Sequence, residues 1–230
     1  MTIVFVREQL RAPLTLALLV TLPFLFVVAA AGVLGEFADA LGGSLLADAA
    51  TSLGAGWSAA FVAGTLGFFQ VNSARDADRR LSIAGTGPLR VAVARIGASV
   101  ALALLAAGAA YIALALKVEI AHPWHTGAAI IGYALVYLGL GAVVGCVVRG
   151  QLEGSLTVAF IFLLDVFSGP GMTEGDGSPL SISRSAADVL IAAAIGNGSP
   201  GRDWVELVAW AGGALIVALG AFAFTARGRT

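Results

Sequence analysis

Residues 72–95, NSARDADRRLSIAGTGPLRVAVAR, form the only long polar interruption in the apolar first half of the chain. Arg75, Arg79, Arg80, Arg90 and Arg95 stand there against Asp76 and Asp78, between two runs apolar enough to cross a bilayer. An arginine-rich loop in that position belongs on the cytoplasmic side. Asn72 and Ser73 suit the cap of a short helix, in which Arg75 and Arg79, then Asp76 and Arg80, lie four residues apart and share faces. Gly85-Thr86-Gly87 stops that helix, and Pro88 suits the first turn of the next. The expectation is a short charged helix under the membrane, a shape for docking a partner. The plain alternative is that the arginines only fix topology.

Working outward, the composition sets the class. With 59% hydrophobic residues, 12% charged and a mean hydropathy of +0.94, the 230 residues carry too little polar surface for a soluble domain. An all-α polytopic membrane protein follows. Twelve Arg against one Lys, with much Ala and Gly, resembles a GC-rich bacterial coding bias. The single Cys146 excludes a disulfide within the chain.

Residues 2–13 place Ile3, Val6 and Leu10 on one stripe with Arg7, Glu8 and Arg11 turned away, an amphipathic interfacial helix. Leu14 to Leu34 is 21 residues, longer than a signal-peptide core, and reads as a retained first span with a kink at Pro23. Further spans are expected at about 52–71, 91–116, 127–148, 155–172 and 204–224. On span 2, Phe61, Thr65, Phe68 and Asn72 share one face, either for helix packing or for an amphiphilic substrate. His122 and His125 lack the further ligands of a four-ligand metal site, so Trp124 reads as an interfacial anchor beside them. Gly141 and Gly145 have the small-xxx-small spacing for close helix approach. Span 5 is apolar for only 13 residues before Ser168-Gly169-Pro170-Gly171, against the roughly 20 that a crossing requires. It is therefore either broken or re-entrant. Asp165 near its end is costly without a partner or water, and the backbone N–H groups of Ser168, Gly169 and Gly171 are candidate partners. Ser185-Ala186-Ala187-Asp188 matches a capping box, with Val189 to Ile195 continuing as a helix too short to span.

Ten basic residues, Arg7, Arg11, Arg75, Arg79, Arg80, Arg90, Arg95, Arg149, Arg227 and Arg229, fall on one side of this topology. Lys117, Arg184 and Arg202 fall on the other with most carboxylates. Both termini are then cytoplasmic, and six crossings satisfy the count. No catalytic constellation appears. Lys117 precedes Val118, so a GxxxxGK[ST] phosphate loop is impossible in this chain.

The order of these parts resembles the type-2 ABC exporter (ABC-2) permeases. The matching stretches are Arg7-Glu8-Gln9-Leu10-Arg11-Ala12-Pro13 running into span 1 with Pro23, the loop from Arg75 to Arg95, Gly139-Leu140-Gly141, and Phe167-Ser168-Gly169-Pro170-Gly171. Arg79-Arg80-Leu81-Ser82 departs from the Gly-Thr-hydrophobic-Glu run that members often show. The resemblance implies one permease domain over residues 1–230, in a bacterial cytoplasmic membrane, that pairs with a second permease copy or a homologue. Two copies of a separate ATPase would bind ATP and Mg; the chain itself would hold no cofactor or metal and contact membrane lipids, not nucleic acid. The implied coupling helix contains Arg75, Asp76, Arg79, Arg80 and Leu81. The implied substrate path runs by Phe61, Thr65 and Phe68, with Thr157 and Phe160 on span 5. The implied outer gate contains Asp165, Ser168, Gly169 and Pro170. Implied substrates are drugs, antibiotics, lipids and other hydrophobic molecules, moved outward. Two readings from other classes compete: a membrane-embedded enzyme using Asp165 with His122 or His125, and a membrane anchor or regulatory subunit that transports nothing.

Overall fold

The structure, a computed structural model, describes residues 13–43, 45–73, 85, 87–170, 172, 184–196 and 201–226. Among these, the regular structure is helical: α1 (Pro13–Ala40), α2 (Ala47–Asn72), α3 (Pro88–Ala115), α4 (Pro123–Val147), α5 (Gln151–Phe167), α6 (Arg184–Ile195) and α7 (Gly201–Ala226). The all-helical class is as expected. Four helices, α2, α3, α4 and α7, are long and apolar enough to cross a membrane, and α1 makes a fifth if its two arms count as one span. At 17 residues, α5 is short of a full crossing, as its 13-residue apolar run foretold.

Glycine decides which helices sit at the centre. A Cβ on Gly141 of α4 would run into the carbonyl oxygen of Gly64 on α2, and one on Gly139 would lie 2.6 Å from Ala214 on α7. Two backbones can approach that closely only where side chains are missing, so α4 is clasped between α2 and α7. The small-xxx-small pair is a packing device here, since Gly145 likewise meets Phe68 of α2. Tyr133, Tyr137, Ile130 and Leu138 of α4 fill the buried core around this seam.

Two ends of the bundle can be told apart by the connections. The links 41–46 and 116–122 lie at one end with Glu36, Asp39, Asp48 and Glu119, the acidic end. The 148–150 turn lies at the other, the basic end, with Arg149. At the acidic end, the short helix α6 is buried among α2, α4 and α7. Its last carbonyls would be orphans, and the loop before α4 satisfies them: the N–H groups of Ala121 and His122 donate to Ala194 and Ala193 oxygens at 3.0 Å each. Gly196, with φ of 83°, then ends the helix in a left-handed conformation.

Several expectations need correcting. The large bend in α1, 54° between Leu19–Ala29 and Gly32–Ala40, falls beyond Pro23, at the step into Gly32. The helix of span 3 starts at Pro88, so Arg95 is not a loop residue. It is 8% exposed inside the bundle, where Nη1 donates to Gln70 Oε1 at 3.4 Å. The helix that Asn72 was expected to cap lies outside the described residues. Asn72 is the last residue of α2, and its Nδ2 donates to the Val148 and Arg149 carbonyls at 3.2 and 3.3 Å. That ties α2 to the α4–α5 turn. The capping box is also displaced, because α6 already begins at Arg184, whose Nε lies 3.8 Å from Asp188 in the next turn.

Candidate functional site

A cleft runs between α1 and α5. Both helices pack on α2, yet they make little contact with each other, and a space of about 390 Å³ remains between them. Trp57 of α2 forms its floor; Leu25, Ala29 and Val33 line one wall and Phe162, Leu163 and Val166 the other. Phe37 and Phe167, with ring centres 6.2 Å apart, narrow it at the acidic end. Every lining side chain is apolar. In a ligand site such walls supply affinity without direction, and the polar groups at the rim supply selectivity.

The floor is held by a chain of rings. Phe26 of α1 stacks on Phe61 of α2 at 6.4 Å, Phe61 meets Phe162 of α5 at 5.1 Å, and Phe162 meets Tyr137 of α4 edge-on at 5.9 Å. Behind these rings lies the buried Asp165, 4% exposed. Tyr137 Oη donates to its Oδ2 at 2.6 Å, a charge-assisted length. The expected donors are different: the N–H groups of Ser168 and Gly169 already serve the Leu164 and Val166 carbonyls in the helix end. Gly171 lies outside the described residues. Tyr137 is the fifteenth of 25 residues in α4, so Asp165 sits at mid-bundle and not at the rim.

The predicted path residues separate into three groups. Phe61 touches two rings of the cleft. Phe68 is fully buried, with its ring occupying the space that a Cβ on Gly154 would need, and locks α5 to α2 instead of lining an opening. Thr65 Oγ1 and Thr157 Oγ1 donate to backbone one turn back, at 2.9 Å to Val62 and 2.7 Å to Glu153. Thr157 and Phe160 border a second, shallower groove of about 480 Å³ on the outer face of α5. Phe160 there is 62% exposed. Of the outer-gate residues, Gly169 packs near Trp57, while Ser168 and Pro170 are half-buried at the end of α5.

His122 and His125 do not approach Asp165. They lie 15 and 12 residues before Tyr137 on α4, and at 1.5 Å per residue even the nearer is about 18 Å away along the helix. They are exposed, stacked edge-on at 5.9 Å, with His125 6.0 Å from Trp204. Trp124 beside them is 90% exposed. Among the described residues no group of His, Cys, Asp or Glu is placed to hold a metal.

No protein-family model and no curated protein matches this chain. Residues 2–12, expected to form an interfacial helix, and the expected docking residues Arg75, Asp76, Arg79, Arg80 and Leu81 lie outside the described residues. Sequence reasoning missed Tyr137 as the partner of Asp165 and Trp57 as the cleft floor. One signal was present: Tyr133 and Tyr137, four apart in an otherwise apolar helix, put two hydroxyls on one face, where each requires a partner.

Proposed function

We propose that the chain is the membrane-spanning subunit of an ATP-driven type-2 ABC exporter, crossing the membrane six times with α5 as the fifth, incomplete crossing. It would move a hydrophobic small molecule, drug, antibiotic or lipid outward through a pair of permeases. The observation that carries this reading is the cleft between α1 and α5, floored by α2 and bordered by a helix, α5, that is too short for a full crossing. A transport route requires an apolar passage next to an element that can move. With its main contacts confined to α2 and α4, α5 is the least anchored long helix. The non-spanning α6 between α5 and α7 has the place that the short helices of that family occupy. On this reading the basic end is cytoplasmic in a bacterial inner membrane, and the segment from Arg75 to Leu81 meets the ATPase.

The test is purification from native membranes. The expected result is co-purification of two ATPase copies per permease pair, with ATP hydrolysis stimulated by a transported substrate. Arg79→Glu with Arg80→Glu should uncouple hydrolysis from transport or release the ATPase, while membrane insertion is kept. Full transport by that doubly reversed protein, with its ATPase still bound, overturns the coupling role. Recovery without any ATPase overturns the exporter reading.

A further inference from the structure

The cleft has an apolar interior, and one carboxylate stands beside its lining on α1. Val33 of α1 faces the cleft, and Glu36 stands three residues further along the same helix. Residues three and four apart on a helix share a face, so Glu36 flanks the lining stripe beside Val33, level with Phe37 and near the acidic end. Glu36, Asp39 and Asp48 are all exposed there. From Gly35 to Thr51 the sequence contains no Lys or Arg to offset them. The lining itself is rich in aromatic faces: Phe26, Phe37, Trp57, Phe162 and Phe167. Such faces attract cations and repel anions, because the ring quadrupole is negative above the plane.

We propose that the cleft takes a lipophilic cation, with its apolar body between α1 and α5 against Trp57 and its positive charge toward Glu36. This deepens the exporter reading and rests on it for calling the occupant a substrate; the binding itself requires no ATPase. Three features select the class together. Apolar walls exclude a hydrophilic ion, the Glu36 carboxylate disfavours an anion of the same shape, and the aromatic faces favour positive over neutral. A volume of about 390 Å³ lies within the range of small-molecule sites. A neutral acyl chain, the main competitor inside a bilayer, would gain nothing from Glu36.

The experiment compares tetraphenylphosphonium with tetraphenylborate, two ions of nearly one shape and opposite charge. The full-length chain is placed in phosphatidylcholine nanodiscs, and saturable, self-displaceable binding of each labelled ion is measured. Tetraphenylphosphonium should bind at least about tenfold more tightly. Glu36→Gln should weaken it about three- to fivefold, the scale of a single exposed charge contact. Glu36→Lys should narrow the preference between the ions further. Filling the cleft by Ala29→Trp should remove saturable binding of the cation. Because Glu36 and Ala29 are exposed, these changes leave the packed core intact, and helical circular dichroism verifies it. Equal binding of the two ions, no saturable binding of the cation, or unchanged affinity in both Glu36 variants overturns the proposal. Failure to recover an ATPase from native membranes would instead refute the exporter reading and leave this binding standing.

Discussion

The hydrogen bond between Tyr137 and Asp165 joins α5 to the central helix, and its worth can be set from the geometry. The carboxylate is 4% exposed and the donor hydroxyl lies 2.6 Å away. Removing the donor by Tyr137→Phe leaves the buried carboxyl group with one hydrogen bond fewer. A bond to a charged group contributes about 1.5–3 kcal/mol net, whereas coupling between polar pairs inside membrane bundles averages about 0.6 and peaks near 1.7 kcal/mol. Strong geometry places this pair near the upper end, so Tyr137→Phe should cost about 1–2 kcal/mol. Asp165→Asn keeps an acceptor for the hydroxyl and should be mild. Asp165→Leu orphans the hydroxyl and should match the cost of Tyr137→Phe or exceed it, because Asp165 has further polar surroundings to abandon. The double variant Tyr137→Phe, Asp165→Leu removes both partners and should be less damaging than the sum of the two. The assay is a double-mutant cycle on the purified chain, unfolded by denaturing detergent in mixed micelles and followed by helical circular dichroism. Additivity within about 0.3–0.5 kcal/mol, the limit for independent sites, would refute the brace. Transport gives a second reading: a brace tolerates Asn, whereas a role for the charge itself requires that Asn alone abolish transport.

Two packing predictions follow from the same contacts. Gly141→Ala drives a methyl group into the Gly64 carbonyl, so it should lower stability by about 1–3 kcal/mol by overpacking, whereas Gly108→Ala, with open space around it, should change it little; denaturing-detergent titration compares them. Phe68→Ala opens a hole over Gly154 and should act through yield and stability by about 3–5 kcal/mol, while Phe61→Ala, which removes a half-buried ring from behind the lining rings Phe26 and Phe162, should alter ligand affinity more than expression.

The helices were legible because apolar length is written directly in the sequence, and Gly141 with Gly145 announced the tight seam on α4. Pro88 marked the start of α3 correctly. The side-chain partners were less legible, for a physical reason. Asp165 has local backbone groups that could serve it, and a linear reading assigns local partners first. In the bundle those local groups are already used: the N–H groups of Ser168 and Gly169 close the end of α5. Asp165 must therefore find its donor across the bundle, on a helix 28 residues earlier. Arg95 was misplaced for a related reason, since a charge eight residues into a helix reads as loop until a buried acceptor such as Gln70 is brought beside it.

The shortness of α5 ties these observations together. A helix of 17 residues extends about 25 Å, so α5 ends while its neighbours continue toward the acidic end. Its carbonyl-rich terminus and the carboxylate of Asp165 would meet hydrocarbon unless they were held inward. Tyr137 holds the carboxylate, and the Ser168 and Gly169 N–H groups occupy the Leu164 and Val166 carbonyls. With the carboxylate turned toward α4 and those carbonyls occupied within the helix end, Phe162, Leu163, Val166 and Phe167 face α1 across the cleft. The cleft is apolar because the polar groups of α5 are satisfied on its other side. A change that frees Asp165 from Tyr137 should therefore make the cleft wetter as well as the helix looser, which predicts that Tyr137→Phe weakens saturable binding of an apolar ligand even where Glu36 is untouched. Unchanged ligand affinity in a folded Tyr137→Phe protein would show that the latch and the cleft are independent.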